Sequence, residues 1–597
     1  MVNSTTLGAN NAPTRFSLSL PSSADSSRNS SPAPGLRKYN PKQGSEVDPG
    51  LDESPGQMPV DVYDAVLPPW RARIRKMVVK RVEKESKTIA NMQEYIRTPF
   101  WDAYFVYTSS LGTHTFFMAS LPTLYFFGYD EFGTSLIVIL AFGVYFTSVI
   151  KDLVCSPRPF APPVTRLSIG SHHLEYGLPS THSTNSVSIA LFLFAIAYQL
   201  TYPSSSHSNI FTEPTLSPQT FSFITSFLCI YAFSIVFGRL YTAMHSFTDC
   251  AIGGFLGALI WWAETSWTGI PIRLLSPSTP FHPTTVLINI LQFLNIGTPL
   301  PSTAPPSSTP LGVIIQLGHG LGLGRSLCSW VKNGGWEVPL ILIPLCLLAV
   351  NQHPQPVDDC PCFEDAIAFG SVVLGILLGK WAVSKLGIPS FSAIMPGSGW
   401  QHSSDNGWIQ VPRQWDDILV WWFFAILKLV FGILAIFTWR LIAKSALRLV
   451  LPPTFRLLAK AFRLPKRRFY TPATEYVSVP SGFGKEGGVF HTIPSVIDLP
   501  TGSKMGVVDG TANGMGNGTG IKGRGKDVKL RVSGLMAKDK RGNGKMQEKD
   551  KEGEPITHYD ADVLTKLVVY AGIGIMASLT LPALYDYLGW GLSSWPS

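Results

Sequence analysis

Three short stretches of this chain concentrate side chains able to handle a phosphate. In Lys151-Asp-Leu-Val-Cys-Ser-Pro-Arg158-Pro159, two cations stand seven residues apart, about two turns along a helical path and on one side of it. Such a pair clamps an anion, and the planar fork of Arg158 suits phosphate oxygens. In Tyr176-Gly177-Leu178-Pro179-Ser180-Thr181-His182, Pro179 breaks the preceding chain and Ser180 is a natural N-cap. The first free amides of a helix then face the loop, where its positive dipole end favours an oxyanion, with His182 inside the first turn. The third stretch is Gly238-Arg239-Leu-Tyr-Thr-Ala-Met-His245-Ser-Phe-Thr-Asp249. His245 and Asp249 are i, i+4 and share a helix face. A carboxylate so placed can hold an imidazole tautomer and stabilise its cation.

Each stretch alone has an ordinary structural explanation: a positive loop anchoring a helix end, a capping histidine, a local His–Asp hydrogen bond. Their joint occurrence in this order, next to apolar spans, is what carries the signal.

The elements that would position them are membrane helices. The chain has 597 residues, 45% apolar and only 15% charged, with mean hydropathy +0.19. Average soluble proteins carry about 25% charged residues. Several stretches approach the roughly 20 apolar residues that cross a bilayer. The expected spans are Tyr104–Phe127, Phe132–Ile150, Ser183–Tyr202, Phe221–Phe237, Phe247–Ala263, Val338–Val350, Ala366–Leu386, Ile418–Ile442 and Leu567–Leu584. The short apolar stretch Thr284–Gly297 is interfacial or a further span. Two spans separate the stretch 151–182 from the stretch 238–249, so both emerge on one membrane face. The fold class is all-α, a polytopic integral membrane helical bundle.

Composition divides the rest. Residues 1–60 read as a disordered tail, with no apolar run that would form a cleavable signal, and 61–100 as a basic juxtamembrane segment holding Arg71, Arg73, Arg75, Lys76, Lys80, Arg81, Lys84 and Lys87. Residues 101–265 form the membrane-embedded core. Residues 266–336 read as a linker, with a Pro/Ser-rich part at 300–310. Residues 337–470 add transmembrane helices and a basic segment, 471–560 a Gly/Lys-rich disordered loop, and 561–597 a C-terminal transmembrane helix. The net charge of +9 sits in local clusters without aromatic interleaving, so nucleic acid is excluded as a partner. The cysteines read as small core residues rather than a disulfide framework, and Cys360-Pro-Cys362 has no assigned role.

Lys151…Arg158-Pro159, Pro179-Ser180-Thr181-His182 and Arg239…His245…Asp249 resemble the three-part signature of the type-2 phosphatidic-acid-phosphatase superfamily, which includes vanadium haloperoxidases. Thr181 stands where the usual middle motif has glycine. That threonine, Glu175-Tyr176-Gly177, and Arg97-Thr-Pro-Phe with Leu111-Gly-Thr-His-Thr-Phe-Phe are similar to the sphingoid-base-1-phosphate phosphatases. The resemblance covers roughly residues 90–265 and implies a lipid-phosphatase core. It implies hydrolysis of a sphingoid long-chain base 1-phosphate through a phosphohistidine on His245, oriented by Asp249. His182 serves as acid and then base, and Lys151, Arg158, Ser180, Thr181 and Arg239 bind the phosphate. It implies no metal and no cofactor, a lipid phosphate substrate, and an endoplasmic reticulum membrane location.

Phosphatidate or another lipid phosphate is the alternative substrate. A transporter with an anion-binding cluster is the alternative from another class, and it leaves the His245–Asp249 pair without a use. A metal site on His172, His173, His182 and Asp249 lacks ligand spacing. Glu175 or Asp152 stands near enough in sequence to meet a substrate ammonium, or simply caps the surface. The basic stretches 71–87 and 440–468 favour a cytoplasmic site by charge, whereas the resemblance implies a lumenal one. Asn3, Asn29 and Asn517 are glycan acceptor positions that would report the face. Oligomeric state is not legible.

Overall fold

The computed structural model describes residues 55–110, 114–167, 175–202, 216–275, 283–293, 298–299, 312–387, 400–403, 407–410, 414–461, 467–470 and 559–590. Most of the expected tail, the linker 300–310, the loop 471–558, the three glycan acceptor positions and the His172-His173 pair lie outside them.

A short helix α1 (Val60–Val66) leads into α2 (Pro69–Ile96). Pro69 at its first turn needs no amide partner, and the fixed φ of proline suits a helix start. Residues Arg75, Val82, Glu85, Ser86, Ile89 and Gln93 of α2 are buried, a spacing of three to four that gives one inward stripe. The helix therefore lies along the bundle rather than through it. Next come α3 (Pro99–Ser110) and α4 (His114–Phe126). The expected single span 104–127 is thus two helices, with residues 111–113 between them outside the described set.

The core of the fold is α5 (Asp130–Val154), α6 (Thr181–Thr201), α7 (Pro218–Tyr241) and α8 (Phe247–Glu264). Helix α5 packs on α6 and α8, and α6 on α7 and α8. Gly253 and Gly257 allow α8 to seat on α6: a Cβ at Gly253 would stand 2.6 Å from the Ser180 carbonyl oxygen, and one at Gly257 would meet that of Thr184. Small residues permit this close approach between membrane helices.

After α8 the chain forms β1 (Ile270–Leu275), α9 (Pro283–Phe293), β2 (Thr298–Pro299) and β3 (Gly312–Leu317), an antiparallel sheet in the order β1-β3-β2. These strands, and the hairpin of β4 (Trp400–Ser403) and β5 (Gly407–Gln410), were not expected from a linker reading. The apolar runs are too short for the period to separate strand from helix.

The remaining helices are α10 (Leu323–Asn333), α11 (Glu337–Asn351), α12 (Cys362–Leu386), α13 (Trp415–Ala461), α14 (Tyr559–Ile575) and, after a π-helical turn at Met576–Thr580, α15 (Leu581–Tyr587). Helix α12 packs on both α5 and α14, and α13 packs on α14. The shared core joins Leu121, Tyr125, Ile137, Leu140, Val144, Ile189, Phe369 and Ile376.

By length and composition, six helical segments among the described residues can cross a membrane: α5, α6, α7, α12, most of α13, and α14 through α15. Three of the nine expected spans are not among these six: 104–127 is divided into α3 and α4, α11 has 15 residues, and α8 has 18 with Asp249 and Glu264 near its two ends. Cys360 and Cys362, to which the sequence assigned no role, are joined in a disulfide.

Candidate active site

The C-terminal end of α5, the N-terminal end of α6 and the turn between α7 and α8 meet at one end of the bundle. Lys151, on the last turn of α5, donates to Glu175 Oε2 at 2.5 Å and to Thr181 Oγ1 at 3.0 Å. Thr181 Oγ1 in turn donates to Thr147 Oγ1 at 3.1 Å. Cys155 ends α5 in a left-handed conformation, and the chain then carries Arg158 back across the site. Arg158 Nε donates to the Glu175 carbonyl at 2.8 Å and its Nη1 to the Met244 carbonyl at 2.8 Å. The same Nη1 lies 3.5 Å from His245 Nε2. Lys151, Arg158, Arg239 and His245 are all buried. All three sequence stretches therefore contribute to one cluster.

His245 is fixed by its backbone surroundings. Its Nδ1 lies 2.8 Å from the Gly177 carbonyl oxygen. A carbonyl only accepts, so Nδ1 carries the hydrogen and Nε2 keeps its lone pair. Burial, reinforced by the charges of Arg158, Lys151 and Arg239, pushes the His245 pKa well below 6.5, so the imidazole is neutral. Burial also lowers Arg158, to about 10, against the opposing pull of Glu175; it remains charged at neutral pH.

Two expectations about the third stretch are corrected. His245 does not share a helix with Asp249: α8 begins after the N-cap Ser246, whose hydroxyl accepts from the Asp249 amide at 3.2 Å. Asp249 Oδ2 accepts from the Ser246 amide at 2.8 Å, completing a capping box, and stands 3.8 Å from His245 Nδ1. The carboxylate is near enough to favour a positive ring, but the Gly177 carbonyl is the ring's hydrogen-bond acceptor. Gly177 is required there, since a Cβ would stand 2.6 Å from the Pro157 carbonyl oxygen.

Ser180 is the N-cap of α6, with its hydroxyl accepting from the Ser183 amide at 3.3 Å. That hydroxyl is fully buried and also receives Ser183 Oγ at 3.0 Å, so it serves the helix rather than a phosphate. What the cap leaves for an anion are the amides of Thr181 and His182, at positions without intrahelical acceptors. His182 is the second residue of α6 and half-buried. The Ser180 amide donates to the Asp249 carbonyl at 3.1 Å, which ties the start of α6 to the start of α8. Arg239 presents its carbonyl to the amides of Met244 and His245 at 3.1 and 3.2 Å, while its Nε has no hydrogen-bond partner among the described residues.

Helix α2 straps the loops together, a role its basic composition did not signal. Glu85 accepts from the Thr248 hydroxyl at 2.6 Å and the Thr248 amide at 3.0 Å. The Gln93 amide group bridges the carbonyls of Thr165 and Tyr241 at 2.8 Å each. Arg71 donates to the carbonyls of Asp152 and Leu153 at 2.7 Å, capping α5 where cations are favoured. Part of the basic cluster is therefore committed to the fold.

The region beyond 265, which carries no sequence motif, supplies the backing. Asp152 points away from Lys151 toward His353 Nδ1 at 3.4 Å and Arg467 Nη2 at 3.6 Å. Arg467 stacks over Phe363 at 3.3 Å and donates to the carbonyls of His353 and Pro354 at 3.2 and 3.0 Å. Asp358 accepts from Tyr176 OH at 2.7 Å, from Tyr63 OH at 2.8 Å and from the Gly56 amide at 3.0 Å. Tyrosine beside the second stretch was the one visible hint of this hub.

Residues 132–272 match the family described as PAP2 superfamily. The chain carries a PAP2 superfamily domain. Every residue of the three stretches lies within this PAP2 domain. Beyond it, a dihydrosphingosine 1-phosphate phosphatase of Schizosaccharomyces pombe is 29% identical over 449 residues, 74% of this chain and 87% of the relative. A dihydrosphingosine 1-phosphate phosphatase of Saccharomyces cerevisiae is 27% identical over 334 residues, 56% of this chain and 66% of the relative. Sphingosine-1-phosphate phosphatase 2 of Homo sapiens is 27% identical over 304 residues, 50% of this chain and 69% of the relative. The alignment with the S. pombe relative is more than three times as long as the PAP2 domain, so the similarity reaches well past it.

Proposed function

We infer that the chain is a multi-pass membrane lipid phosphatase that hydrolyses the phosphate monoester of a sphingoid long-chain base 1-phosphate to the free base and phosphate. The observation that carries this is His245 itself: a neutral ring with its Nε2 lone pair directed to the side where Arg158 Nη1 stands 3.5 Å away. A phosphorus atom held by Lys151, Arg158, Arg239 and the α6 amides would face that nitrogen. The named similarity to dihydrosphingosine and sphingosine 1-phosphate phosphatases supports the choice of substrate.

In this mechanism Nε2 attacks phosphorus as the ester P–O bond breaks, and the leaving alkoxide takes a proton from His182. Positive charge left on the His245 ring is stabilised by Asp249, 3.8 Å from Nδ1. Water then attacks the phosphohistidine, losing its proton to His182 as the P–N bond breaks. The cations and amides neutralise the equatorial oxygens throughout. Three fixed protein cations do the electrostatic work a divalent ion would otherwise do, so the reaction is metal-independent in this reading.

The enzyme resides in the endoplasmic reticulum membrane, with the site on the lumenal face. A tag in the 160–175 loop that is digested by protease in sealed microsomes would refute that face. The chemistry is tested by brief incubation with labelled sphingoid base phosphate and acid-labile phosphoenzyme trapping. Labelled wild type and unlabelled His245→Ala are expected; turnover by His245→Ala near the wild-type rate would overturn the assignment.

A further inference from the structure

Two carboxylates lie close to the phosphate cations in sequence, and the fold separates them. Asp152 pairs with Arg467 and His353. Glu175 stays in the site. Its Oε2 is 2.5 Å from Lys151 Nζ and 3.7 Å from Arg158 Nη2, and its carbonyl is held by Arg158 Nε at 2.8 Å. It is not a surface cap: the residue is 8% exposed. Residues 176 to 178 continue directly into the carbonyl that holds His245, so the position of this carboxylate is locked to the reaction centre.

A phosphate entering between Lys151 and Arg158 competes with Glu175 for the same donors. A buried carboxylate that loses part of its cation contact is stabilised by gaining another. A phosphate monoester with an ammonium on the carbon next to the ester-bearing one brings that cation to within reach of the displaced carboxylate. Charge balance agrees. Lys151, Arg158 and Arg239 face Glu175, with buried Asp249 beside His245, so the site is net positive. A phosphate monoester carries about −1.5 to −2 at neutral pH, and an ammonium brings the headgroup to roughly −1. A lipid phosphate without the amine brings the larger negative charge and no cation for Glu175.

We propose that Glu175 is the specificity-determining residue of this site: it pairs with the ammonium of an amine-bearing lipid phosphate and disfavours lipid phosphates that lack the amine. The proposal rests on the reading of Lys151 and Arg158 as phosphate cations. Glu175→Gln removes one negative charge, keeps the volume, and shifts the site toward a dianion without a compensating amine.

The test measures kcat/KM on the detergent-solubilised full chain with dihydrosphingosine 1-phosphate, its N-acetyl and N,N-dimethyl analogues, and phosphatidate. N-acetylation removes the charge, whereas dimethylation adds bulk and keeps it. Wild type is expected to prefer the free amine over the N-acetyl form by at least about tenfold, as a site with a buried partner rejects a ligand lacking its counterpart, and to treat the dimethyl form like the free amine. Glu175→Gln is expected to bring the amine-to-acetyl ratio to about one and to raise phosphatidate use relative to sphingoid phosphate; Glu175→Asp should retain the preference. Equal wild-type use of amine and acetyl forms, or an unchanged ratio in Glu175→Gln, overturns the proposal. If Glu175→Gln does not accumulate, the wild-type ratio and Glu175→Asp decide it. Folded wild type that hydrolyses none of these substrates would instead overturn the phosphatase reading itself.

Discussion

His245 Nδ1 lies 2.8 Å from the carbonyl oxygen of Gly177 and 3.8 Å from Oδ2 of Asp249. The backbone, not the acid, selects the tautomer of the His245 ring. Asp249 is committed to the Ser246 amide and acts on the ring through charge alone.

That division of labour separates two substitutions. Asp249→Asn keeps an oxygen that can accept from the Ser246 amide and loses the charge, so kcat is expected to fall by about 10- to 100-fold, with KM little changed. His245→Asn removes the nucleophile and should cost far more, at least about 10³-fold. Equal losses in the two variants would show that Asp249 orients the ring after all.

Gly177→Ala places a methyl 2.6 Å from the Pro157 carbonyl oxygen and 3.2 Å from Asp249 Oδ2. Both neighbours are held by the fold, so the Gly177 carbonyl must move, and His245 loses its acceptor. Activity is expected to drop by about 10²-fold, in line with displacements of about an ångström in a catalytic site. Unaltered kcat with an intact melting profile would refute this.

Stability should fall on the acid side. An unfolded histidine titrates near 6.5; in the fold, burial and the neighbouring cations push His245 well below that, and burial with Arg467 lowers His353 to about 4. Below pH 6.5 the unfolded chain therefore binds more protons than the folded one. These two histidines contribute stability that is complete above about pH 6.5 and is lost as pH falls toward the folded values, at most about 1.4 kcal/mol per pH unit each. His245→Gln and His353→Gln should each flatten the acid-side decline in melting temperature; a slope that neither variant alters would contradict it.

Arg467→Met strands the Asp152 carboxylate, whose oxygens accept no hydrogen bond among the described residues. Removing one partner of a buried pair costs about 3–5 kcal/mol. The variant should melt well below wild type, and adding Asp152→Asn should recover much of the loss. A double variant no better than Arg467→Met alone would show that the pair is not the source.

The residues of the cluster around His245 were legible because their chemistry is local. Cation spacing, a helix-start proline and serine, and a His within four residues of an Asp are written in contiguous stretches, and apolar run lengths place those stretches at one membrane face. Those runs place Lys151, Arg158, Thr181, Arg239 and His245 on one face, and the tertiary contacts bring them into one cluster. Their partners were not legible, because they are chosen by packing between distant segments. The i, i+4 spacing of His245 and Asp249 is a helical relation only if the helix starts before His245, and the Ser246 cap starts it later. Glu175 looked like surface until the return path of Arg158 buried it beside Lys151. Asp152 and Asp358 find their partners more than 180 residues away. Chain order and composition determined which groups are available at the membrane boundary; only the tertiary contacts decided which of them touch, since a hydrogen bond depends on a few tenths of an ångström that no pattern of residue types encodes.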